Sequence, residues 1–163
     1  MKWCARCGRL QRATCADRRY VVRGLPSIVL HGVPVVTCPT CGRSDDGIAQ
    51  VDDLHHAIAH AIILKRQRLL PGEIRFLRKQ LRLPALELAA RLGVTPESVS
   101  RWENGWTPMG VTPDRLLRLM VAVAQGAQFH LAALRSVACL HPRANAIHLR
   151  WDDGKWTESV EDA

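Results

Sequence analysis

The spacing of hydrophobic positions changes near residue 50. Before that point, β-branched residues form short runs that glycine and proline interrupt, a pattern typical of short strands joined by turns. After it, from Val51 to about Leu70, apolar residues recur every three or four positions, which predicts an α-helix. Pro71-Gly72 interrupts this period and is the predicted junction between two domains. The predicted strands cover residues 20–23, 27–30 and 33–37.

Beyond the junction, the pattern predicts short helices with recognisable ends. Gly93 ends one of them, and Thr95 followed by Pro96 opens the next as an N-cap with proline in the first turn. Thr112 and Pro113 repeat that opening. The predicted helices cover residues 73–81, 84–92, 95–104, 112–125 and 127–140. Two further runs, residues 147–151 and 155–160, flank an Asp-Gly turn and predict a β-hairpin.

These elements predict an α+β protein in which each part is small. With 163 residues in all, neither half buries a large core unaided, so a bound metal or a partner would add stability. The predicted parts are a small β domain (1–48), a linker helix (49–72), an all-α domain with an extra C-terminal helix (73–141) and an acidic hairpin tail (142–163).

Four of the six cysteines lie in two copies of the sequence CxxCG. Two residues between paired cysteines let both sulfurs of a tight turn face one ion, and the following glycine permits the positive φ that closes the turn. Two such pairs separated by a strand-rich stretch predict one closed, structural zinc site. Two disulfides or redox-active pairs are the alternatives. The predicted ligands are Cys4, Cys7, Cys38 and Cys41.

The other cysteines and the histidines have weaker patterns. Cys139 lies in an apolar helix and is expected in the core, and Cys15 has no predicted role. His56 and His60 are one helical turn apart, as in some metal sites, but no further ligand accompanies them. A solvated helix face is therefore the preferred interpretation for them and their neighbour His55. The remaining histidines carry no prediction: His130, His141 and His148.

The formal net charge of +8 favours a polyanionic partner, either nucleic acid or an anionic membrane surface, although solubility alone could account for it. Residues 1–48 hold eight Lys/Arg against three Asp/Glu, whereas residues 142–163 hold three against five. No run approaches the roughly 20 apolar residues of a membrane span, and the N-terminus does not resemble a secretory signal. We therefore expect a cytoplasmic protein.

Residues 85–104 have the spacing of two short helices packed at a steep angle. Ala89 is the small residue where such helices approach, and Gly93 is the turn residue. The inner contacts are predicted at Leu88, Leu92, Val94, Val99 and Trp102. The outward positions of the second helix carry short polar groups and one arginine, which suit a DNA major groove: Thr95, Glu97, Ser98, Ser100, Arg101 and Asn104. A purely structural helical hairpin is the alternative.

Arg101 is the predicted base-reading residue, because a guanidinium can bind guanine O6 and N7 together. Basic side chains near this helix are predicted to contact phosphates, with a solvated surface as the alternative for each. They are Arg75, Arg78, Lys79, Arg82 and Arg91.

The sequence from Val99 to Gly105, together with Pro108 and the following helix, resembles the Cro/repressor-type (XRE) helix-turn-helix family over residues 73–125. That family often has glutamine at the start of its second helix, where it touches the phosphate backbone. Here Pro84 and Ala85 occupy this place, so the contact is absent or comes from another group, such as a backbone N–H at the helix N-terminus.

The two motifs in tandem, with the strand sequence Tyr-Val-Val-Arg-Gly between them, resemble the MqsA-type antitoxins with a YgiT-type zinc finger over residues 1–125. The resemblance implies a structural zinc on the four cysteines, an N-terminal domain that neutralises an mRNA-cleaving toxin, and a C-terminal domain that dimerises and binds a palindromic operator. The family's base-reading arginine matches Arg101, but its asparagine position is Glu97, so the operator should differ. Residues after about Gln125 extend beyond the family pattern.

We therefore expect a homodimeric, DNA-binding transcriptional repressor, with an autorepressing antitoxin as its specific form. The alternatives are an antitoxin that mainly occludes a toxin, and a general regulator without one. The helices after Gly105 are a candidate dimer interface, because helix 127–140 carries more apolar residues than one short helix need bury alone: Phe129, Leu131, Leu134, Val137 and Leu140. The alternative is that this helix only completes the core of the monomer. The sequence contains no HExxH motif, no GxSxG motif and no Gly-rich phosphate loop, so none of these motifs points to an enzyme. RNA binding by the N-terminal domain would need exposed aromatics, for which Trp3 and Tyr20 are available.

Overall fold

The structure, a computed structural model, describes residues 3–45, 47–48, 50–126, 133–138 and 140–159. Three strands come first, six helices follow and two strands end the described chain, which is the segregated α+β order that the sequence predicts. The strands are β1 (Arg12–Tyr20), β2 (Ile28–Thr37), β3 (Ser44–Asp45), β4 (Ile147–Asp152) and β5 (Lys155–Glu158). The helices are α1 (Val51–Leu64), α2 (Pro71–Gln80), α3 (Ala85–Leu92), α4 (Pro96–Glu103), α5 (Val111–Ala124) and α6 (Ala133–Ser136).

One sheet unites the two ends of the chain. β1 and β2 form an antiparallel hairpin, and β4 pairs in parallel with β2 in a register that sets Ile28 beside Ile147. β5 is antiparallel to β4, which confirms the predicted C-terminal hairpin, and β3 pairs with β2 near the cysteines. The strand order is β1-β2-β4-β5. The pairing of β2 with β4 was not predicted, since neither strand signals its partner.

The sheet has a well-filled end and a thin end. At the filled end, Ile28, Leu30 and Leu149 are fully buried among residues of α1. At the other end, the first four residues of β1 are exposed although β1 alternates its faces. A strand that is exposed on both faces contributes little hydrophobic stabilisation. This end of the hairpin carries the cysteines.

α1 packs between the sheet and the other helices. It contacts β4 and β5 on one side and α2 and α5 on the other. Leu54, Ile58 and Ile62 follow helical spacing and are buried, and the same continuous core includes Leu77 of α2 and Leu117 of α5. The boundaries predicted for the separate domains remain a prediction, but the sheet and helices share this core.

A buried ion pair closes the C-terminal end of α1. Arg118 and Asp114, both on α5, have no exposed surface, and Arg118 Nε donates to Asp114 Oδ1 at 2.6 Å. The guanidinium also donates to the carbonyls of Ile62, Ile63, Lys65 and Gln67 at 2.7–3.1 Å. Carbonyls at the end of a helix lack intrahelical donors, so Arg118 satisfies groups that water cannot reach.

The turn between β1 and β2 touches the first turn of α2 through two glycines. A Cβ on Gly72 would lie 1.6 Å from the carbonyl oxygen of Gly24, and Gly24 itself has a φ of 88°. Only glycine fits at position 72 without moving one backbone away from the other. The hairpin is therefore in direct backbone contact with the helical region.

Several predicted boundaries differ from the structure for local reasons. The predicted strand 20–23 is wrong because β1 ends at Tyr20 and a turn follows. β1 itself was missed, since its arginines and exposed faces conceal the alternation. α1 ends at Leu64, before residue 70, and Pro71 is the first residue of α2. Gly110 precedes α5 at its N-cap position, so Thr112 does not cap that helix.

The predicted helix 127–140 falls largely on residues that the structure does not describe. Its described part contains α6, and Val137 and Ala138 beyond α6 are buried. Phe129, His130, Leu131 and Cys139 lie outside the described residues.

Candidate functional site

The four cysteines of the CxxCG motifs meet at the thin end of the sheet. Their sulfurs all lie within 4.8 Å of one another, with Cys4 Sγ 3.6 Å from Cys41 Sγ and Cys7 Sγ 3.3 Å from Cys38 Sγ. Cys4 and Cys38 are buried, while Cys7 is exposed and Cys41 is partly exposed. The structure thus brings together all four predicted ligands.

The two motifs form matching turns. In the first, Cys4 N donates to Arg9 O and Gly8 N donates to Cys4 O. In the second, Cys38 N donates to Arg43 O and Gly42 N donates to Cys38 O. Gly8 and Gly42 have φ of 67° and 68°, the left-handed conformation that the sequence predicts for them. Each turn points its two sulfurs at the other turn.

Backbone N–H groups in these turns favour the charged form of the buried sulfurs. Hydrogen bonds from the backbone of Cys41 and Thr40 lower the pKa of the Cys38 thiol to about 6. Those from Arg6 and Cys7 lower the pKa of Cys4. The Arg9 backbone N–H acts in the same direction on Cys7, but the neighbouring sulfurs raise the pKa of its thiol to about 12. Ionising all four sulfurs therefore requires a nearby positive charge.

The arrangement fits a metal ion. A tetrahedral ion with metal–sulfur bonds of about 2.3 Å holds its ligands about 3.8 Å apart, close to the separations found here. Disulfide-bonded sulfurs are about 2.05 Å apart, so neither close pair is a disulfide. The four cysteines can bind one metal ion, and their closed, all-sulfur set leaves no ligand position open for catalysis.

The other cysteine and histidine positions lie apart from this cluster. Cys15 is exposed on β1. His55 bonds to the Tyr20 hydroxyl and His60 to the Glu158 carboxylate, so only His56 of the predicted solvated group is fully exposed. His148, which carried no prediction, bonds to His31 across the β2–β4 pair. Among the described residues, the four-cysteine cluster is the one group of His, Cys, Asp and Glu close enough to share a metal.

The second site is the pair formed by α3 and α4. Gly93 ends α3 with a φ of 67°, and Thr95 caps α4 by accepting a hydrogen bond from Ser98 N, as the sequence predicts. Ala89 is buried where the helices meet. The predicted inner residues Leu88 and Val99 are fully buried, and Leu92, Val94 and Trp102 pack against them.

This geometry agrees with the comparison against known families. Residues 74–122 match the helix-turn-helix family. The match covers α2 to α5 and leaves the four-cysteine sheet outside it. The chain thus carries an XRE-type helix-turn-helix, a module of DNA-binding regulators whose second helix enters the major groove. In this chain the helix-turn-helix pair is α3 and α4, so α4 is the second helix of the motif. The curated proteins include no match to the chain.

Helix α4 presents a polar, solvent-facing surface. Thr95, Glu97, Ser100, Arg101 and Asn104 are exposed, and Ser98 is partly buried. Several of these side chains are already hydrogen-bonded at the ends of the helix. The backbone N–H of Glu97 and the hydroxyl of Thr95 lower the pKa of the Glu97 carboxyl, and Asn104 Nδ2 donates to Ser100 O at 2.9 Å.

The Arg101 guanidinium is exposed on this surface, and its charge helps to lower the pKa of the Glu97 carboxyl. It makes no hydrogen bond or ion pair with any residue that the structure describes. Trp106, in the turn after α4, donates its backbone N–H to the Arg101 carbonyl, and its side chain is 74% exposed. Arg101 and Trp106 are thus available at the same end of the helix.

Three of the five cations predicted to contact phosphates are already bonded within the protein, and the other two have no ion pair with a described residue. Arg78 donates to both carboxylate oxygens of the nearly buried Glu103, at 2.6 and 2.9 Å, and also to Leu83 O. Arg75 bonds to the carbonyl of Glu103 and to Asn104. Lys79 and Arg82 are exposed without an ion pair to a described residue, and Arg91 pairs with Glu87 on the surface.

Four buried charged groups were missed in the sequence: Glu73, Glu103, Asp114 and Arg118. Glu103 lies four residues after Val99 and therefore on the inner face of α4, where it joins α4 to α2 through Arg78. Arg118 lies one residue after the buried Leu117. The sequence signal that could have revealed such residues is a charged residue at a position that the helical period places on the buried face. No helix among the described residues has the length and apolar character needed to cross a bilayer.

Proposed function

We propose that this protein is a transcriptional repressor that binds a palindromic operator as a homodimer and reads base sequence through Arg101 on α4. The observation that carries the proposal is the exposed Arg101 guanidinium on the second helix of a helix-turn-helix, which has no hydrogen bond or ion pair to a described residue. A dimer seated on its promoter would exclude RNA polymerase. Lys79 and Arg82 supply phosphate contacts, whereas Arg78 and Arg75 hold α2 against α4.

Arg101→Ala is expected to remove most of the preference for operator over scrambled duplex. A bidentate arginine–guanine contact contributes about 1–3 kcal/mol of discrimination, which corresponds to about 5- to 150-fold. Phosphate contacts made elsewhere should preserve the weak, salt-sensitive binding to random DNA. The measurement is a fluorescence titration against both duplexes at several salt concentrations.

Lys79→Ala is the comparison variant, because Lys79 is exposed on α2 and would meet only phosphate. It should weaken binding to both duplexes alike and reduce the salt slope by about 1. We prefer it to Arg82→Ala, since Arg82 has a φ of 54° and its replacement also changes backbone strain. An Arg101→Ala protein with the wild-type ratio of affinities would contradict the assignment of the recognition helix.

The dimer is proposed to form through the outer face of α5. Leu116 and Val123 are exposed on this helix, and Met120 between them is only partly buried. Two half-sites about one turn of DNA apart require two-fold symmetry, and an apolar helix face supplies a self-complementary surface.

Light scattering at micromolar concentration is expected to give a particle of twice the chain mass. Val123→Glu should shift this equilibrium towards the monomer, because it places two like charges in the apolar contact. Leu86→Glu is the matched change, since Leu86 is a similarly exposed apolar residue on α3, and it should leave the dimer intact. A strict wild-type monomer, both alone and on DNA, would refute the proposal.

Zinc is the metal we propose for Cys4, Cys7, Cys38 and Cys41. Soft thiolates in a tetrahedral set select zinc or iron–sulfur clusters, and a closed four-sulfur zinc site is structural. The ion would replace the hydrophobic core that this end of the sheet lacks.

An antitoxin role is the more specific form of this proposal. The observation that favours it is the tandem of the four-cysteine sheet and the helix-turn-helix in one short chain, the arrangement that resembles MqsA-type antitoxins. A small toxin-like reading frame adjacent to the gene, whose product co-purifies with the chain through the sheet, would support this role. If no toxin-like reading frame lies beside the gene, the protein would be a general transcriptional regulator.

A further inference from the structure

The surface around the four cysteines combines exposed arginines with an exposed aromatic ring. Trp3 immediately precedes Cys4, is 71% exposed and is held to the chain by a β-bridge to Leu10. Arg6 and Arg9 belong to the first cysteine turn and Arg43 follows the second, and all three are exposed. We name Trp3, Arg6, Arg9, Arg12 and Arg43 the tip surface.

The geometry of the turns places these residues together. The carbonyls of Arg9 and Arg43 accept hydrogen bonds from the backbones of Cys4 and Cys38, and those two cysteines belong to one cluster of sulfurs. Arg12 pairs with Thr37, directly before Cys38. The tip surface is therefore a contiguous patch fixed by the two turns.

The tip surface carries more positive than negative charge, because its four arginines outnumber Asp45 and Asp46, the acidic residues that follow directly after Ser44. From Trp3 to Ser44 the chain contains one carboxylate, Asp17, and this accepts hydrogen bonds from His31 and Gly32 in the middle of the hairpin. Five residues of strand, about 17 Å, separate it from Arg12. None of the tip arginines has an ion pair with a side chain that the structure describes, and the surface as a whole keeps a net positive charge that can attract an external anion.

We propose that the tip surface binds single-stranded nucleic acid, with Trp3 stacking on a base and the arginines contacting phosphates. A positive surface alone would suit any polyanion, but an exposed indole face adds a preference for unpaired bases, because the bases of a duplex are already stacked on one another. The site is separate from α4, and its binding does not depend on the proposed operator function.

The test uses the full-length protein and the fluorescein-labelled oligonucleotides dT12 and rU12, which cannot pair with themselves. Wild type should bind them more tightly than a 12-base-pair duplex of unrelated sequence. Trp3→Ala should weaken binding at least about 5-fold, and Trp3→Phe should restore most of it. Comparing the affinity for dT12 with the affinity for rU12 shows whether single-stranded DNA or RNA is preferred.

Charge is tested separately by the double variant Arg6→Gln/Arg9→Gln. Each lost phosphate contact removes about 0.7 from the slope of log affinity against log salt, so the slope should fall by about 1.4. Arg19→Gln is the matched control, because Arg19 is equally exposed on β1 but lies opposite Val29, seven residues or about 23 Å from Arg12. It should leave affinity and slope unchanged.

Arg101→Ala separates the two proposals, since it should lose operator preference and keep its affinity for dT12. Equal metal content of all variants verifies that the tip is folded. The proposal is overturned if wild type fails to bind either oligonucleotide at 50 mM salt. It is also overturned if Trp3→Ala binds like wild type, or if duplex binding falls as much as dT12 binding in that variant.

Discussion

Cys38→Ser is expected to abolish stoichiometric metal binding and to unfold the cysteine end of the sheet while α4 and its neighbours remain folded. Cys38 is fully buried in the cluster, and zinc-finger peptides gain about 10–16 kcal/mol from their ion. The first residues of β1 are exposed on both faces and have no comparable source of stability. Elemental analysis should find one zinc per wild-type chain and none in the variant.

Hydrogen exchange locates the effect. The amides that join the first half of β1 to the last half of β2 should lose protection, whereas those between β2 and β4, which lie over the filled core, should keep most of theirs. Cys15→Ser is the matched control because Cys15 is an exposed cysteine of the same sheet, outside the cluster. A metal-free wild type with protected amides at this end would disprove the metal site.

Arg118→Met is expected to lower the free energy of unfolding by about 3–5 kcal/mol, the loss typical of a buried ion pair that is broken from one side. Methionine fills much of the same space, so the loss comes from charge and hydrogen bonding. Asp114 would remain buried without its cation, and the carbonyls at the end of α1 would lose their donor. Urea denaturation followed by circular dichroism measures the change.

The chain provides a second arginine–carboxylate pair at the same helical spacing for comparison. Arg91 and Glu87 are 52% and 50% exposed, whereas Arg118 and Asp114 are both 0% exposed. Arg91→Met should therefore cost only about 0.3–0.5 kcal/mol, as exposed pairs of this kind do. Equal losses in the two variants would show that burial of Arg118 contributes nothing.

The features that sequence predicted best are those encoded by a few neighbouring residues. Gly93 and Thr95 specify a turn and a cap by their own conformational preferences, and the structure has both. The cysteine spacing likewise specifies two turns, and Gly8 and Gly42 adopt the positive φ that it demands. Each of these signals is complete within about ten residues, so no knowledge of the distant chain is needed.

The features that sequence could not predict depend on residues far apart in the chain. The pairing of Ile28 with Ile147 joins segments about 120 residues apart, and β-branched composition carries no record of the partner. The long strand β1 was concealed because few of its residues are buried. Arg118 and Glu103 were missed for a different reason: a charged residue on a helix is usually solvated, and here burial is compensated by hydrogen bonds from three other parts of the chain.

The contact between Gly24 and Gly72 fixes the orientation of the sheet with respect to α2. At this point two backbones touch with no side chain between them, so the hairpin cannot rotate against the helix-turn-helix without separating the contact. A dimer built on α5 and seated on DNA through α4 would therefore hold its two cysteine-bearing ends at a set distance and angle from the duplex. The fold would thereby determine which molecules near the operator the cysteine-bearing ends of a bound dimer can contact.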